Sequence, residues 1–381
     1  MIDRESLCRT KFWLMAGLAA SAGAIATPAD AQVSRETGRD KVKLTLSGHV
    51  NRALMFADDG KSSRTLIVDN AAATTRFNMS AEAEVSDDFA LGAQIETEIP
   101  SNSASIVTIH QGNGDNNQNQ TRFVERKMEV FAAHKRLGKI WLGQGSTATD
   151  EIVESDLSGT TVSGNYADAG VIGSALVFYN TRTRSYTDGP TVGDVVVSLN
   201  GGMDDRIRYD TPTYGGFFAS ASFVSGGQGD AALRYGGKIG PFEIAAALGY
   251  SNVSGINTTV EDRVVGSAAV LHESGFNVAF SAGRQQHKAA NRDDGTSYYG
   301  KVGYIAKLFG IGPTAFAVDY GVYNDYGQNG DEAKQYSAAV VQHFEDIGSQ
   351  IYVMGKAFEL DRTGASYDDI RLLLVGGRVQ F

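Results

Sequence analysis

The residues best able to bind metal or move protons are six histidines, His49, His110, His134, His272, His287 and His343. They are scattered, with no H-E-x-x-H spacing and no cysteine companions, so they read as solvated wall or rim residues rather than ligands. One stretch, GNGDNNQNQT (112–121), places oxygen donors at Asp115, Asn117 and Asn119 with the stagger of a calcium loop. Gln120 stands where that loop needs glycine, and Arg126 stands where it needs its closing glutamate, so a solvated loop is the better reading. His134 and Ser146 are the pair that a surface hydrolase dyad would need, but no G-x-S-x-G surrounds the serine. No G-x-G-x-x-G or P-loop pattern occurs either. The expectation is a protein without enzymatic chemistry, metal or cofactor.

What remains is charge and its placement. The chain has 381 residues and a formal charge of −10, which argues against wrapping nucleic acid. Arg4, Arg9 and Lys11 precede an apolar run from Phe12 to Ala26, and Ala29-Asp30-Ala31 then forms a cleavage-type site. Residues 1–31 therefore read as a secretory signal peptide, leaving 32–381 as the mature domain. The single cysteine, Cys8, lies in the leader, so the mature chain carries no disulfide.

Segments of about ten residues then alternate at period two. VKLTLSGHV (42–50) puts Val42, Leu44, Leu46, Gly48 and Val50 on one face, with Lys43, Thr45, Ser47 and His49 on the other. RFNMSAEAEV (76–85), LGAQIETEI (91–99), PFEIAAALGY (241–250), GFNVAFSAG (275–283) and YYGKVGYIAKL (298–308) repeat the pattern. The prolines after the leader all fall at segment edges or in loops, where no ladder hydrogen bond is lost. Short connections at 86–89, 135–139, 211–216, 238–241, 273–275, 308–313 and 345–348 alternate with longer polar ones. The latter are 58–74, 101–121, 146–204, 225–229, 252–262, 287–295, 324–332 and 360–367. Together they join sixteen strands, with short turns on one rim and long loops on the other.

The apolar face carries small residues mid-strand (Ala81, Ala83, Ala93, Ala246) and aromatics towards the ends (Phe56, Phe77, Phe89, Phe242, Tyr250). A sandwich core needs bulk at mid-strand, whereas aromatic ends suit the two interfaces of a bilayer. The expected fold is all-β: a sixteen-stranded antiparallel transmembrane β-barrel with long extracellular loops. The terminal LLLVGGRVQF (372–381) reads as the closing strand. Its lipid-facing set would be Leu373, Val375, Gly377, Val379 and Phe381, paired with Lys43–Val50, because an open edge in hydrocarbon leaves backbone groups unsatisfied.

Four stretches resemble the general bacterial porins, the sixteen-stranded trimeric outer-membrane family. TTRFNMSAEAEVSDDFALGAQIE (74–96) is similar to its second and third strands, and GKIWLGQG (138–145) to its fifth. DRIRYDTPTYGGF (205–217) is similar to its sixth strand, turn and seventh strand, and VGGRVQF (375–381) to its closing signature. The resemblance implies a bacterial outer-membrane homotrimer in contact with lipid. It also implies a water-filled channel for passive diffusion of small hydrophilic solutes and ions, and a second loop that latches onto a neighbour.

It further implies that the third loop, 146–203, folds into the barrel and sets its acidic residues against a basic wall. The acidic candidates are Asp150, Glu151, Glu154, Asp156 and Asp168. By matched position the basic ones are Arg76, Lys127, Arg206 and Arg208, with Lys43 as a weaker addition. Arg126 has the opposite strand parity from Lys127, and Asp210 offers Arg206 and Arg208 a local partner instead. The P-E-F-G-G-type stretch of the family's third loop is absent. An acidic loop and a negative chain imply mild cation preference. The alternatives are a substrate-selective porin for a sugar or organic acid, and a structural or adhesive barrel without an open pore.

Overall fold

The computed structural model describes residues 33–36, 42–111 and 123–381, so the leader and the calcium-like stretch 112–121 lie outside the described residues. Sixteen antiparallel barrel strands follow one another round a closed ring. The first four are β1 (Val42–Asp58), β2 in two segments (Ser63–Asp69 and Arg76–Ser86), β3 (Phe89–Glu98) and β4 (Val124–His134). Then come β5 (Gly138–Ser146), β6 (Met203–Asp210), β7 (Phe217–Val224) and β8 (Gln228–Ile239). β9 (Phe242–Asn252), β10 (Val260–His272), β11 (Phe276–His287) and β12 (Gly295–Phe309) continue it. β13 (Gly312–Asn324), β14 (Glu332–Phe344), β15 (Ser349–Asp361) and β16 (Ile370–Gln380) complete it.

The ring closes where β16 meets β1, from Arg371 opposite Asp58 to Gln380 opposite His49. The expected partner, Lys43–Val50, is the right strand, but β16 meets it only from Gly48 upward and runs on to Asp58. β1 is long enough to serve two neighbours in turn: its lower half, Val42–His49, pairs with Arg76–Ala83 of β2. Past the end of β16, Phe381 and Gly48 exchange backbone hydrogen bonds of 3.0 and 2.8 Å. The Phe381 ring lies over Gly48, so close that a Cβ there would meet a ring carbon at 2.9 Å. Below that point the short strand Val33–Glu36 pairs with Lys43–Leu46 and continues the seam.

Two connections expected to be long are short. β1 runs to Asp58 and turns over 59–62 into Ser63–Asp69, and only 225–227 separate β7 from β8. The outward row behaves as anticipated: Val50, Leu54, Phe56, Leu373, Val375 and Val379 are all exposed on the isolated barrel. The inward face differs from the expected polar lining. On β1 and β13–β16 it is largely apolar, with Met55, Ala315, Val341, Tyr352, Met354, Phe358, Leu372 and Leu374 buried.

The third loop, 147–202, is what buries them. Ile172, Leu176, Phe178, Val192 and Val195 join those wall side chains in one cluster. Each large apolar side chain so buried contributes about 1.5–3 kcal/mol. On the opposite side the wall makes room by being small: a Cβ on Gly249 of β9 would meet Ile152 of the loop at 2.9 Å.

Candidate functional site

The loop is tied down strand by strand. Thr149 donates from its backbone N and Oγ1 to Asp230 of β8 at 2.8 and 2.7 Å. Ser267 of β10 donates to Ile152 O at 2.7 Å. Lys301 of β12 donates to Asn165 O at 2.5 Å, and Lys356 of β15 to Gly164 O at 2.7 Å. Asn165 donates to Asp319 of β13 and, at 2.6 Å, to Ser337 of β14. Farther along, the loop meets the second loop, with Gly173 N on Ala104 O at 2.9 Å. Then Tyr186 reaches Asp59 at 2.9 Å in the first turn. It returns to β6 through backbone bonds between 147–149 and 201–202.

Anchored in this way, the loop brings Asp150, Glu151, Glu154 and Asp168 into one mutually repelling group. Arg126, Lys127, Arg208 and Arg234 on the wall act on it electrostatically. Burial, more than repulsion, raises the four carboxyls. Glu151 is pushed from 4.5 up to about 7 by burial and then by Asp150, against the pull of Lys127, Arg126 and Arg234. Glu154 is raised well above the usual range by burial, then by Glu151, Asp168 and Asp150. Asp168 is raised to about 6 by burial, although Ser198 and Lys356 oppose the shift. Glu151 also sits at φ 59°, a left-handed conformation that non-glycine residues rarely adopt.

The wall opposite is not the bare cationic surface expected. Arg126 Nε donates to Glu96 Oε1 at 2.6 Å and its Nη1 donates to Glu98. Arg76 lies 3.6 Å from Glu96 and 4.0 Å from Glu98. Thr74 donates its hydroxyl to Glu98 at 2.5 Å. Two guanidiniums thus meet two carboxylates and cancel in place. Lys127 makes no hydrogen bond or ion pair among the described residues, and it lies within electrostatic reach of Glu96, Asp150 and Glu151. A cavity of about 720 Å³ borders this network on the loop rim, lined in part by Thr74, Glu98, Ser103, Ser105, Phe123 and Val171.

Several candidates lie elsewhere. Asp156 is buried against Lys301 Nζ at 2.7 Å, with both side chains almost fully shielded, so it anchors the loop instead of lining the waist. Arg206 is buried too: it pairs with Glu129 and donates to Ser146 O at 2.9 Å. Arg208 donates to Asp210 at 2.8 Å and to Thr147 O at 2.9 Å. Both guanidiniums are spent on holding the start of the loop, the local pairing that Asp210 had offered for Arg208. Lys43 is exposed and pairs with Glu82, six residues below the His49–Arg76 pair. At about 3.4 Å per residue that is roughly 20 Å from the waist.

Sequence parity misplaced Arg126. The register slips between Glu96 and Thr97, so Lys127 faces Glu96 while Glu125 faces Thr97. The extra residue is Arg126, and such a bulge re-aims a side chain. Arg234 was missed altogether, although it shares a strand face with the inward Asp230 and Ala232. His134 and Ser146, the hydrolase-type pair, are not brought together. His134 pairs with Gly138 at one end of β5 and Ser146 lies at the other, about 27 Å away at strand rise.

Below the waist, the Lys139 Nζ sits 3.5 Å and 3.6 Å from the ring centroids of Phe131 and Trp141. The Trp141 indole N–H is itself held by Asp210 at 2.8 Å. Both rings therefore fix the ammonium by cation–π attraction.

A family model described as Gram-negative porin matches residues 17–363. Among solved structures, an anion-selective porin from Comamonas acidovorans superposes with a TM-score of 0.60 at 16% identity, covering 90% of this chain and 100% of its own. OmpF of Salmonella typhi in complex with daunomycin gives 0.58 at 14%, covering 91% and 100%. A trimer form of OmpT, an outer-membrane protein of Vibrio cholerae, gives 0.56 at 14%, covering 90% and 100%. At these identities the likeness concerns the fold alone. No curated protein sequence is similar enough to register as a match.

Proposed function

This chain belongs to the Gram-negative porin family, and on that premise we propose that it is a homotrimeric outer-membrane channel with mild cation preference. Small hydrophilic solutes and ions diffuse through it down their gradients, and no bond is made or broken. The solute path runs between the acids of the third loop and the inner wall of β2–β4.

The observation that carries the preference is the neutralisation of Arg76 and Arg126 by Glu96 and Glu98. With those arginines cancelled, the cations that act on Asp150, Glu151, Glu154 and Asp168 without a carboxylate hydrogen-bonded to them include Lys127 and Arg234, while Lys356 acts on Asp168 from the far wall. Once Glu151 and Asp168 are ionised, above about pH 7, a narrow, protein-walled waist focuses their negative charge onto passing ions.

The test is the zero-current potential of the purified protein in a planar bilayer under a salt gradient. The expected sign is that of a cation-preferring channel, and an anion sign overturns the reading. Liposome swelling separates an open pore from a structural or adhesive barrel, which leaves sugar entry at background. The substrate-selective alternative for a sugar or organic acid has one foothold, the fixed ammonium of Lys139 between its two rings. Block of conductance by micromolar amounts of one solute class would favour it.

A further inference from the structure

Arg234 projects inward from β8 beneath the start of the third loop. Its Nη2 donates to the backbone carbonyl of Asp150 at 2.7 Å. Its guanidinium carbon lies 5.8 Å from the centroid of Phe218. Its Nη1 is buried without a hydrogen-bond partner, and no carboxylate among the described residues comes within ion-pair distance of it. The charged groups around it are Arg208, Glu151, Asp210 and Asp150. A buried guanidinium that leaves a donor unmatched and forms no ion pair is expensive to keep. The one directional hydrogen bond it makes grips a peptide carbonyl, and the next residue is Glu151 in its left-handed conformation. The turn continues through Asp150 N on Thr147 O at 3.3 Å and Glu154 N on Glu151 O at 3.1 Å.

We propose that Arg234 is a positioning residue for ion selectivity. By pinning the Asp150 carbonyl it holds the turn that aims Glu151, and with it the acid group, at the Lys127 wall. This rests on the cation-preferring waist described above and adds the element that keeps its charge in register. Phe218 orients the guanidinium, so the grip is set by the barrel and not by the loop.

The sign of one measurement separates positioning from simple charge. Removing a cation beside the acids makes the waist more negative and by charge alone raises cation preference. Releasing the turn lets Glu151 swing from the path and lowers it. R234M in the folded, bilayer-inserted protein is therefore expected to lower the cation-to-anion permeability ratio by about twofold. R234K keeps one donor for the carbonyl and restores the ratio. If R234M does not assemble, R234Q is read in the same way. A ratio that rises or stays constant, or that R234K fails to restore, overturns the proposal. E151Q on the wild-type background is the separate control. Loss of cation preference there with no effect of R234M refutes positioning alone, whereas no effect of E151Q refutes the acidic waist itself.

Discussion

At the scale of single residues, the waist is governed by which charges are already spent. Arg206 and Arg208 carry the same chemistry as Arg126, yet they are shielded and committed to Glu129, Asp210 and loop carbonyls. Two expectations follow from this difference. Arg206→Met strands the Glu129 carboxylate in a buried site and should cost about 3–5 kcal/mol. It would be read as a lowered urea midpoint with unchanged selectivity, and a selectivity change at full stability would return Arg206 to the pore. The second concerns pH. Glu151 and Asp168 have carboxyls raised to about 7 and about 6, so acidification removes negative charge from the waist. Cation preference should fall between pH 8 and pH 5, first near 7 and then near 6, and Glu151→Gln should remove the upper step. A reversal potential flat over that range contradicts the assignment. The same raised values mean that the folded loop holds protons more tightly than the unfolded chain. Its packing therefore weakens as pH rises from about 4.5 towards 7. The acids Asp150, Glu151, Glu154 and Asp168 were legible in the sequence because they crowd the one long acidic connection. Arg126 was not, because a bulge breaks the parity that strand reading depends on.

At the scale of elements, the third loop behaves as a packed partition and not as a flap. Buried lysines on β12 and β15 cap its carbonyls, and Asp319 gathers donors from Asn165, Tyr299, Gln335 and Ser337. Its far half is held by apolar packing, with Phe178 fully buried among wall and loop side chains. Phe178→Ala should cost about 3–5 kcal/mol through the cavity it leaves. The barrel would survive on its own hydrogen bonds, so the loss should appear as a noisier open-channel current and a lower first thermal transition. A quiet channel with unchanged melting would mean that the loop is held by its polar anchors alone. The strands were readable from period two wherever one face is polar. On β16 the run Leu372–Val375 is apolar on both faces, because lipid lies outside and the loop lies inside. Alternation vanishes there, and so did any hint of what the inner leucines meet.

At the scale of the whole molecule, closure depends on one seam whose lower end is Gly48 and Phe381. A side chain at Gly48 would strike Arg76 O at 2.6 Å as well as the Phe381 ring. Gly48→Val should therefore slow or prevent folding into the detergent-resistant barrel, seen as loss of heat-modifiable migration on gels. Normal folding of that variant would show that the seam adapts. The sequence by itself determined the number of strands, the outward row and the family likeness, because lipid on one side of a strand imposes a local, two-residue rule. It also put the candidate acids in one long loop, although Asp156 among them turned out to anchor that loop to Lys301. Only the tertiary structure decided which charges stay uncompensated, because Glu96, Glu98 and Glu129 reach their arginines across strands. The loop's course was decided there as well: its anchors come from strands far apart in the chain, and no local pattern records which wall a loop will meet.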